Sequence, residues 1–362
     1  MEAIPHARIA PDFLQSNAQA HHDILYAVAD LLDNTREAGA QRCEINVRHQ
    51  FDGRSKHSLV EMVDDGCGMT EGTMRAMLSI AYTQKDRTTG KHYGMGSTTS
   101  IPRLCKSALC FSVHSSGHCT VGLLSTTLSK KIGASELKVP QCSWSFDCQG
   151  GDVAPLESFQ VRDGKGKELP LGEAARRDSL SLMLKHTPFS TEEALLEEFR
   201  RLQRYGLSAG RAAGRPATGT AWLLWNVNDE LILSDHHDAP NDIVVRSRDQ
   251  KWPFEKTLRG FCEVLYYCDD AELRRSKPMV IAIKDVDVEP RNWSQYLKNS
   301  HTATPIKPPG AITATQRASV TFGYSEPLRE VVRLFQDTSA GKNDFGSPCT
   351  SLTRSNHCPN TL

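Results

Sequence analysis

The sequence predicts an α+β protein: a helix packed on an antiparallel sheet, followed by a second, smaller α/β unit. Three observations predict this class. Ile24, Leu25, Val28, Leu31 and Leu32 recur at helical spacing. The next stretch switches to a period of two, with Cys43, Ile45 and Val47 alternating with polar residues. The chain has 362 residues, and at roughly 150 residues per domain that length fits two domains better than one.

The first helix is expected between Ala18 and Ala38, with Gly39 standing where a C-terminal cap belongs. A hairpin follows: Asp52-Gly53 marks its turn and Ser58 to Val63 its second strand. DDGCGM reads as a glycine-punctuated loop, Glu71 to Ala81 as a helix, and Tyr82 to Thr99 as a polar segment with few core candidates. Ala108 to Val113 and Cys119 to Leu128, separated by Ser115-Ser116-Gly117, form a second strand pair, and Glu136 to Phe146 supplies one more strand. Residues 147–172 are rich in Gly, Asp and Lys and are expected to be a long surface connection. Ser190 and Glu193 make a capping-box pattern for a helix whose buried stripe is Leu195, Leu196, Phe199 and Leu202. After a loop at 208–219, Thr220 to Val227, Met279 to Ile283 and Ala318 to Tyr324 read as strands, with Leu258 to Tyr267 a helix among them. The expected boundaries are a first domain over 1–172, a second over 173–325, and a divergent, partly disordered tail over 326–362.

Composition narrows the function. Hydrophobic residues at 39% and charged residues at 24% suit a folded protein with sizeable cores. Lys+Arg and Asp+Glu both number 43, so the net charge is zero and any DNA binding must come from a local patch. The densest basic region is Arg200, Arg201, Arg204, Arg211 and Arg215, which predicts at most weak, sequence-independent, salt-sensitive DNA binding. The 11 cysteines contain no CxxC pair, and His21-His22 and His236-His237 lack ligand partners at useful spacing, so no disulfide framework or zinc site is expected. No signal-like segment or run of about 18 apolar residues is present, which predicts an intracellular protein with no membrane partner.

Three short elements carry chemistry. On the first helix Asp30, Asp33, Asn34 and Glu37 fall in one arc opposite the apolar stripe. That arc is either a solvated face or a site in which the Asn34 oxygen ligates Mg²⁺ and the carboxylate one turn earlier orients a water. In DDGCGM, Asp64 sits at a strand end before two glycines, where the backbone can approach a planar base and the carboxylate can accept from an exocyclic amine; DGxG is also a common turn. The third element, Tyr93-Gly94-Met95-Gly96-Ser97-Thr98-Thr99, is a glycine-hydroxyl run whose N–H groups can cradle an anion before the next helix, or is a structural loop.

The order of these elements resembles the GHKL ATPases (histidine kinases, gyrase B, Hsp90, MutL), and more closely the MORC (microrchidia) family. PDFLQSNAQAHHDILYAVADLLDNTREAGA, VDDGCGMTEGTMRAMLSIAY, YGMGSTTSIPRL and VGLLSTTL are similar to that family's first domain. LKHTPFSTEEALLEEF, GTAWLLWNV, LRGFCEVLYY and ASVTFGY resemble its S5-like transducer domain, so the likeness covers about residues 8 to 325. It implies a GHKL (Bergerat-type) ATPase domain followed by an S5-like transducer, with ATP and Mg²⁺ as cofactors. Asn34 would be the Mg²⁺ ligand and Asp64 the adenine acceptor, with Gly66, Gly68 and Met69 beside the base. Lys85 would lie near the phosphates, and Gly94, Met95, Gly96, Ser97 and Thr98 would form the phosphate loop and lid.

Asp30 takes the place of the family's general-base Glu. Met95, Thr98 and Ser100 replace the Asn, Lys and last Gly of the family loop, and Arg317 is the only counterpart near the transducer lysine. A base one methylene shorter, displaced by about 1 Å, can cost about 100-fold in rate, so slow hydrolysis is expected. The resemblance implies a nuclear, ATP-dependent, dimerising clamp on DNA or chromatin. The alternative is a degenerate pseudo-ATPase that keeps the fold and serves as an interaction scaffold.

Overall fold

The computed structural model describes residues 10–20, 23–51, 56–79, 96–146, 153–155, 159–162, 168–171, 173–208, 217–234, 240–246, 256–265, 279–290, 298–306, 318–324 and 348–353. The chain divides into two compact units, Met1–Asp242 with Met279–Asp287, and Ile243–Pro278 with Val288–Leu362.

The first unit opens with α1 (Asp12–Asn17) and a 3-10 turn (Ala18–Ala20), then α2 (Ile24–Glu37), β1 (Arg42–Phe51), β2 (Lys56–Asp64), α3 (Glu71–Leu78) and α4 (Gly96–Leu104). It continues through β3 (Cys105–Val113), β4 (His118–Ser125), a single turn α5 (Leu128–Lys131) and β5 (Gln141–Phe146). The short strands β6 (Val153–Pro155), β7 (Phe159–Arg162) and β8 (Glu168–Leu171) precede two longer helices, α6 (Glu173–His186) and α7 (Glu192–Ser208), and then β9 (Gly219–Val227) and β10 (Leu231–Ile232). In the second unit lie β11 (Val244–Val245), β12 (Lys256–Thr257) and α8 (Leu258–Leu265), while β13 (Val280–Ile283) and β14 (Val286–Asp287) return to the first. The second unit ends with β15 (Lys298–Ile306), β16 (Ala318–Tyr324) and β17 (Pro348–Thr353), antiparallel neighbours in that order.

The first unit is built on one nine-stranded sheet in the order β14-β13-β1-β2-β9-β3-β4-β5-β6. Alternation along the strands gives it two faces. Leu59, Val63, Leu109, Phe111, Val121, Trp144, Leu223 and Trp225 pack against Met183 of α6 and Leu195, Phe199 and Leu202 of α7. On the other face, the hydroxyl of Thr35 in α2 reaches Asp64, and the absent side chain of Gly122 makes room for Leu78 and Met74 of α3.

Three expectations are corrected, and the tail expected to be partly disordered gains a strand. GTAWLLWNV, assigned to the second domain, is β9 and sits in the middle of the first unit's sheet, antiparallel to both β2 and β3. A strand covered on both faces needs a near-continuous apolar run, and Thr220 to Trp225 are all buried. The first compact unit therefore extends past the boundary expected at residue 172, and it also recovers Val280–Ile283, which pairs in parallel with β1. Residues 147–172, read as a connection, contain β6 and the β7–β8 hairpin. The tail supplies β17, which pairs with β16 over Pro348–Thr353. The cap of α7 is Thr191, whose hydroxyl accepts from the Ala194 N–H, rather than Ser190.

Candidate functional site

The helix α2 organises the site. Asp23 caps it, its carboxylate accepting from the Leu25 N–H at 3.0 Å, and Gly39, at φ +72°, terminates it in the left-handed conformation that favours glycine. Its buried face is Ile24, Leu25, Ala27, Val28, Leu31, Leu32 and Thr35. The predicted polar arc splits in two: Asp33 and Glu37 are exposed, whereas Asp30 is half-buried and turned toward α4. Ser100 Oγ donates to Asp30 Oδ2 at 2.8 Å, and the position a β-carbon would take on Gly96 lies 3.8 Å from Asn34 Nδ2. One turn separates Asp30 from Asn34 and one turn separates Gly96 from Ser100, so two helix faces meet in antiparallel register.

Asp64 ends β2 beside this pair. It is buried, and its carboxylate accepts from the Gly66 N–H at 2.8 Å and the Thr35 hydroxyl at 3.3 Å. Burial pushes its pKa up to about 7, against the opposing effect of the Gly66, Thr35 and Thr220 donors. Its neighbour Asp65 serves the backbone instead: its Oδ1 accepts from the Gln41 and Arg42 N–H groups at 2.8 and 3.0 Å and closes the turn into β1. Thr35 follows Asn34 directly, so one helix turn carries both the exposed carboxamide near α4 and the hydroxyl on Asp64.

The two glycines of DDGCGM answer first to the chain itself. A β-carbon on Gly66 would meet the Ala38 side chain at 2.8 Å, and one on Gly68, at φ +70°, would fall 1.9 Å from the Val113 carbonyl oxygen. Met69 is half-buried and its N–H donates to Ser112 Oγ at 2.7 Å. The Thr218 hydroxyl donates to the Gly66 carbonyl at 2.7 Å, and the backbone of Gly219 approaches Asp64 so closely that a β-carbon would lie 2.2 Å from its carbonyl oxygen. Sequence reasoning missed Thr35, Ser112, Thr218 and Thr220, and read Ser100 only as a replacement for a loop glycine. The TGT run at the start of β9 was the available signal, and it was hidden by placing that strand in the other domain.

Lys85, Gly94 and Met95 lie outside the described residues. Gly96 opens α4, but the two hydroxyls expected to line the phosphate loop turn inward: Ser97 Oγ donates to the Met77 carbonyl at 3.2 Å, and Thr98 is fully buried. An anion at this end of α4 would meet backbone N–H groups rather than these side chains.

The described part of the basic region is paired with acids. Arg200 pairs with Glu193 and Glu197, Arg204 with Glu197, and Arg201 with Glu61 and Glu198. Arg48 joins the same lattice through Glu61 and Glu198. These charges are committed to carboxylates rather than presented as a cationic stripe; Arg211 and Arg215 lie outside the described residues. Among the described residues no cluster of His, Cys, Asp and Glu is arranged to hold a metal, and no helix is long and apolar enough to cross a membrane.

The donor set fits a magnesium nucleotide. Asn34 offers a hard, exposed oxygen of the kind Mg²⁺ takes while keeping its waters. Three protein donors, Gly66, Thr35 and Thr220, act on the Asp64 carboxylate, whose two oxygens offer about four acceptor positions, so an exocyclic amine can still be accepted.

Residues 22–147 match the family model described as "Histidine kinase-, DNA gyrase B-, and HSP90-like ATPase". The fold and the match together define the class: the chain carries a GHKL-type ATPase domain. Protein MICRORCHIDIA 4 of Arabidopsis thaliana is 27% identical over 90% of this chain and 40% of its own length, and Protein MICRORCHIDIA 2 is 29% identical over 83% and 48%. MORC family CW-type zinc finger protein 1 of Mus musculus is 25% identical over 72% of this chain and 25% of its own length. The chain is thus similar to MORC proteins over most of its own length, and it spans less than half the length of these relatives.

Proposed function

We propose that this MORC-like ATP-binding protein is a nuclear, nucleotide-driven clamp. ATP and Mg²⁺ would occupy the cleft between α2 and α4, and two copies would close on DNA or chromatin. The second unit, with β15, β16 and β17, would act as the S5-like transducer. The observation that carries the reading is the convergence on one turn of α2: Asn34 faces the opening of α4 at Gly96, and Thr35, the next residue, holds Asp64. Asn34 would ligate the magnesium, Asp64 would accept the adenine amine, Met69 would wall the base, and the first N–H groups of α4 would meet the phosphates. Lys85, Gly94 and Met95 would complete the phosphate lid.

Bound Mg·ATP supplies an activated terminal phosphoryl group, and the chain orients water around it and excludes the rest. Asp30, half-buried and one turn before Asn34, would accept the proton of the attacking water. Its short reach, and a loop whose hydroxyls point inward, support slow turnover. The nucleotide drives closure only as far as it binds the closed state more tightly than the open one, so weak phosphate contacts favour open monomers.

The test is titration of Mg·ATP monitored by the mass of the assembly, with turnover measured in parallel. Nucleotide-dependent dimers that fall away in Asn34→Ala, with affinity reduced about 100-fold or about 2.7 kcal/mol, support the reading. A folded protein that binds no nucleotide overturns it. Binding without turnover selects the interaction scaffold instead, a reading favoured specifically by the full burial of Thr98 at the position of a family lysine.

A further inference from the structure

We propose that Ser100 is a positioning residue for Asp30, fixing the carboxylate from the same helix whose opening faces Asn34. The inference rests on the reading of the α2–α4 cleft as the nucleotide site and adds a residue that the reading does not need. A serine inside a helix ordinarily donates back to the carbonyl four residues earlier or points to solvent. Ser100 does neither in its contact with α2: it is fully buried, and its Oγ donates across the helix pair to Asp30 Oδ2 at 2.8 Å.

The placement of that bond matters. Gly96 stands against Asn34 and Ser100 against Asp30, so the turn of α4 that meets the metal ligand is rigidly continuous with the turn that meets the base. An aspartate side chain has two rotatable bonds, and a bond from a buried donor on Oδ2 restrains both. In the step served, the water oxygen forms a bond to the terminal phosphorus and one water proton passes to the Asp30 carboxylate. The bridging O–P bond breaks, its electron pair departing with ADP. A carboxylate without this restraint would spend less time in the productive pose, and small misplacements of such groups are costly.

The experiment uses the full chain and compares wild type, Ser100→Ala, Asp30→Asn and the double variant. Turnover is read at saturating Mg·ATP and under single-turnover conditions, and nucleotide affinity is read separately. Ser100→Ala is expected to lower kcat about tenfold while KM and Mg·ATP affinity stay within twofold. In the Asp30→Asn background the same change is expected to move the residual rate less than twofold, because Ser100 acts through the carboxylate. An equal loss in both backgrounds, a change confined to KM, or an unaltered kcat overturns the inference while leaving the nucleotide site standing. Absence of nucleotide binding or of turnover in the wild type overturns it together with the hydrolytic reading. Should Ser100→Ala fold poorly by circular dichroism, Ser100→Cys keeps the side-chain shape with a slightly larger atom, weakens the donor, and carries the same expectations.

Discussion

The two faces of the nine-stranded sheet are covered in different ways. Beneath α6 and α7 the face is closed by aromatic packing: Phe111 meets Phe189 and Phe199 edge-on at 5.9 and 5.3 Å, and Trp144 lies 5.6 Å from Phe199. Glu192 there accepts from both the Trp144 indole and Arg176, whose guanidinium sits 5.3 Å from the indole centroid, and the buried Glu61 and Glu198 pair with Arg48 and Arg201. Beneath α2, α3 and α4 the same sheet buries Asp64, Ser112, Thr120 and Ser143, with Ser100 on the helix above. Buried polar groups on that scale are expensive unless they are satisfied or in use. Here they are satisfied by hydrogen bonds within the protein, and this is the face that would take the nucleotide under the proposed function.

The largest effect should come from breaking the packed face. Phe199 is fully buried between Phe111 and Trp144, so Phe199→Ala should cost about 3–5 kcal/mol in urea unfolding through the lost transfer and the cavity left behind. Asn34→Ala, on an exposed position of the other face, should change stability by less than about 0.5 kcal/mol. If both variants lost similar stability, the division between a structural and a binding face would be wrong.

A smaller, pH-dependent effect sharpens the polar face. Glu71 is buried at the start of α3, burial pushes its pKa up to about 7 against the Ser143 hydrogen bond, and its Oε1 has no hydrogen-bond partner. A carboxyl raised on folding favours the protonated form. Its contribution is therefore intact below about pH 4.5, the unfolded value, and is lost as the pH rises through about 7. Glu71→Gln should stabilise by about 1–3 kcal/mol at pH 8 and by little at pH 4.5. Asp64, raised to about 7 in the same direction, remains in the variant and should preserve a residual slope. Thermal unfolding at the two pH values decides it; equal gains at both would mean that the carboxyl is not held neutral.

The legible parts of this division were local. The apolar stripe of α2, its glycine terminator and the carboxylate before two glycines all depend on neighbours within a few residues, and they place Asn34 and Asp64 correctly on helix and strand end. The rest depends on pairings that spacing does not encode. The partner of Asp30 lies 70 residues away, and the Thr218 hydroxyl reaches Gly66 across 152. GTAWLLWNV reads as a strand with no sign of which sheet it enters, and its place between β2 and β3 is set by ladders to strands far away in sequence. The glycines of DDGCGM look from sequence like room for a base, whereas Gly68 is required by the Val113 carbonyl whether or not a base is bound.

The smallest expected effect concerns charge on the packed face. Arg204 is exposed and pairs with Glu197 at 2.7 Å, while Arg200 shares that carboxylate. Exposed pairs of this kind contribute about 0–1 kcal/mol, so Arg204→Ala should shift stability by less than about 0.5 kcal/mol. The effect on DNA discriminates more sharply. A cation already neutralised by its neighbour releases no counterion when a phosphate approaches, so the variant should bind DNA within about twofold of wild type with an unchanged salt slope. A slope reduced by about one unit would mean that Glu197 yields its partner to the phosphate backbone. The α7 face would then be a binding surface as well as a structural one, and the contrast between the two faces would no longer hold.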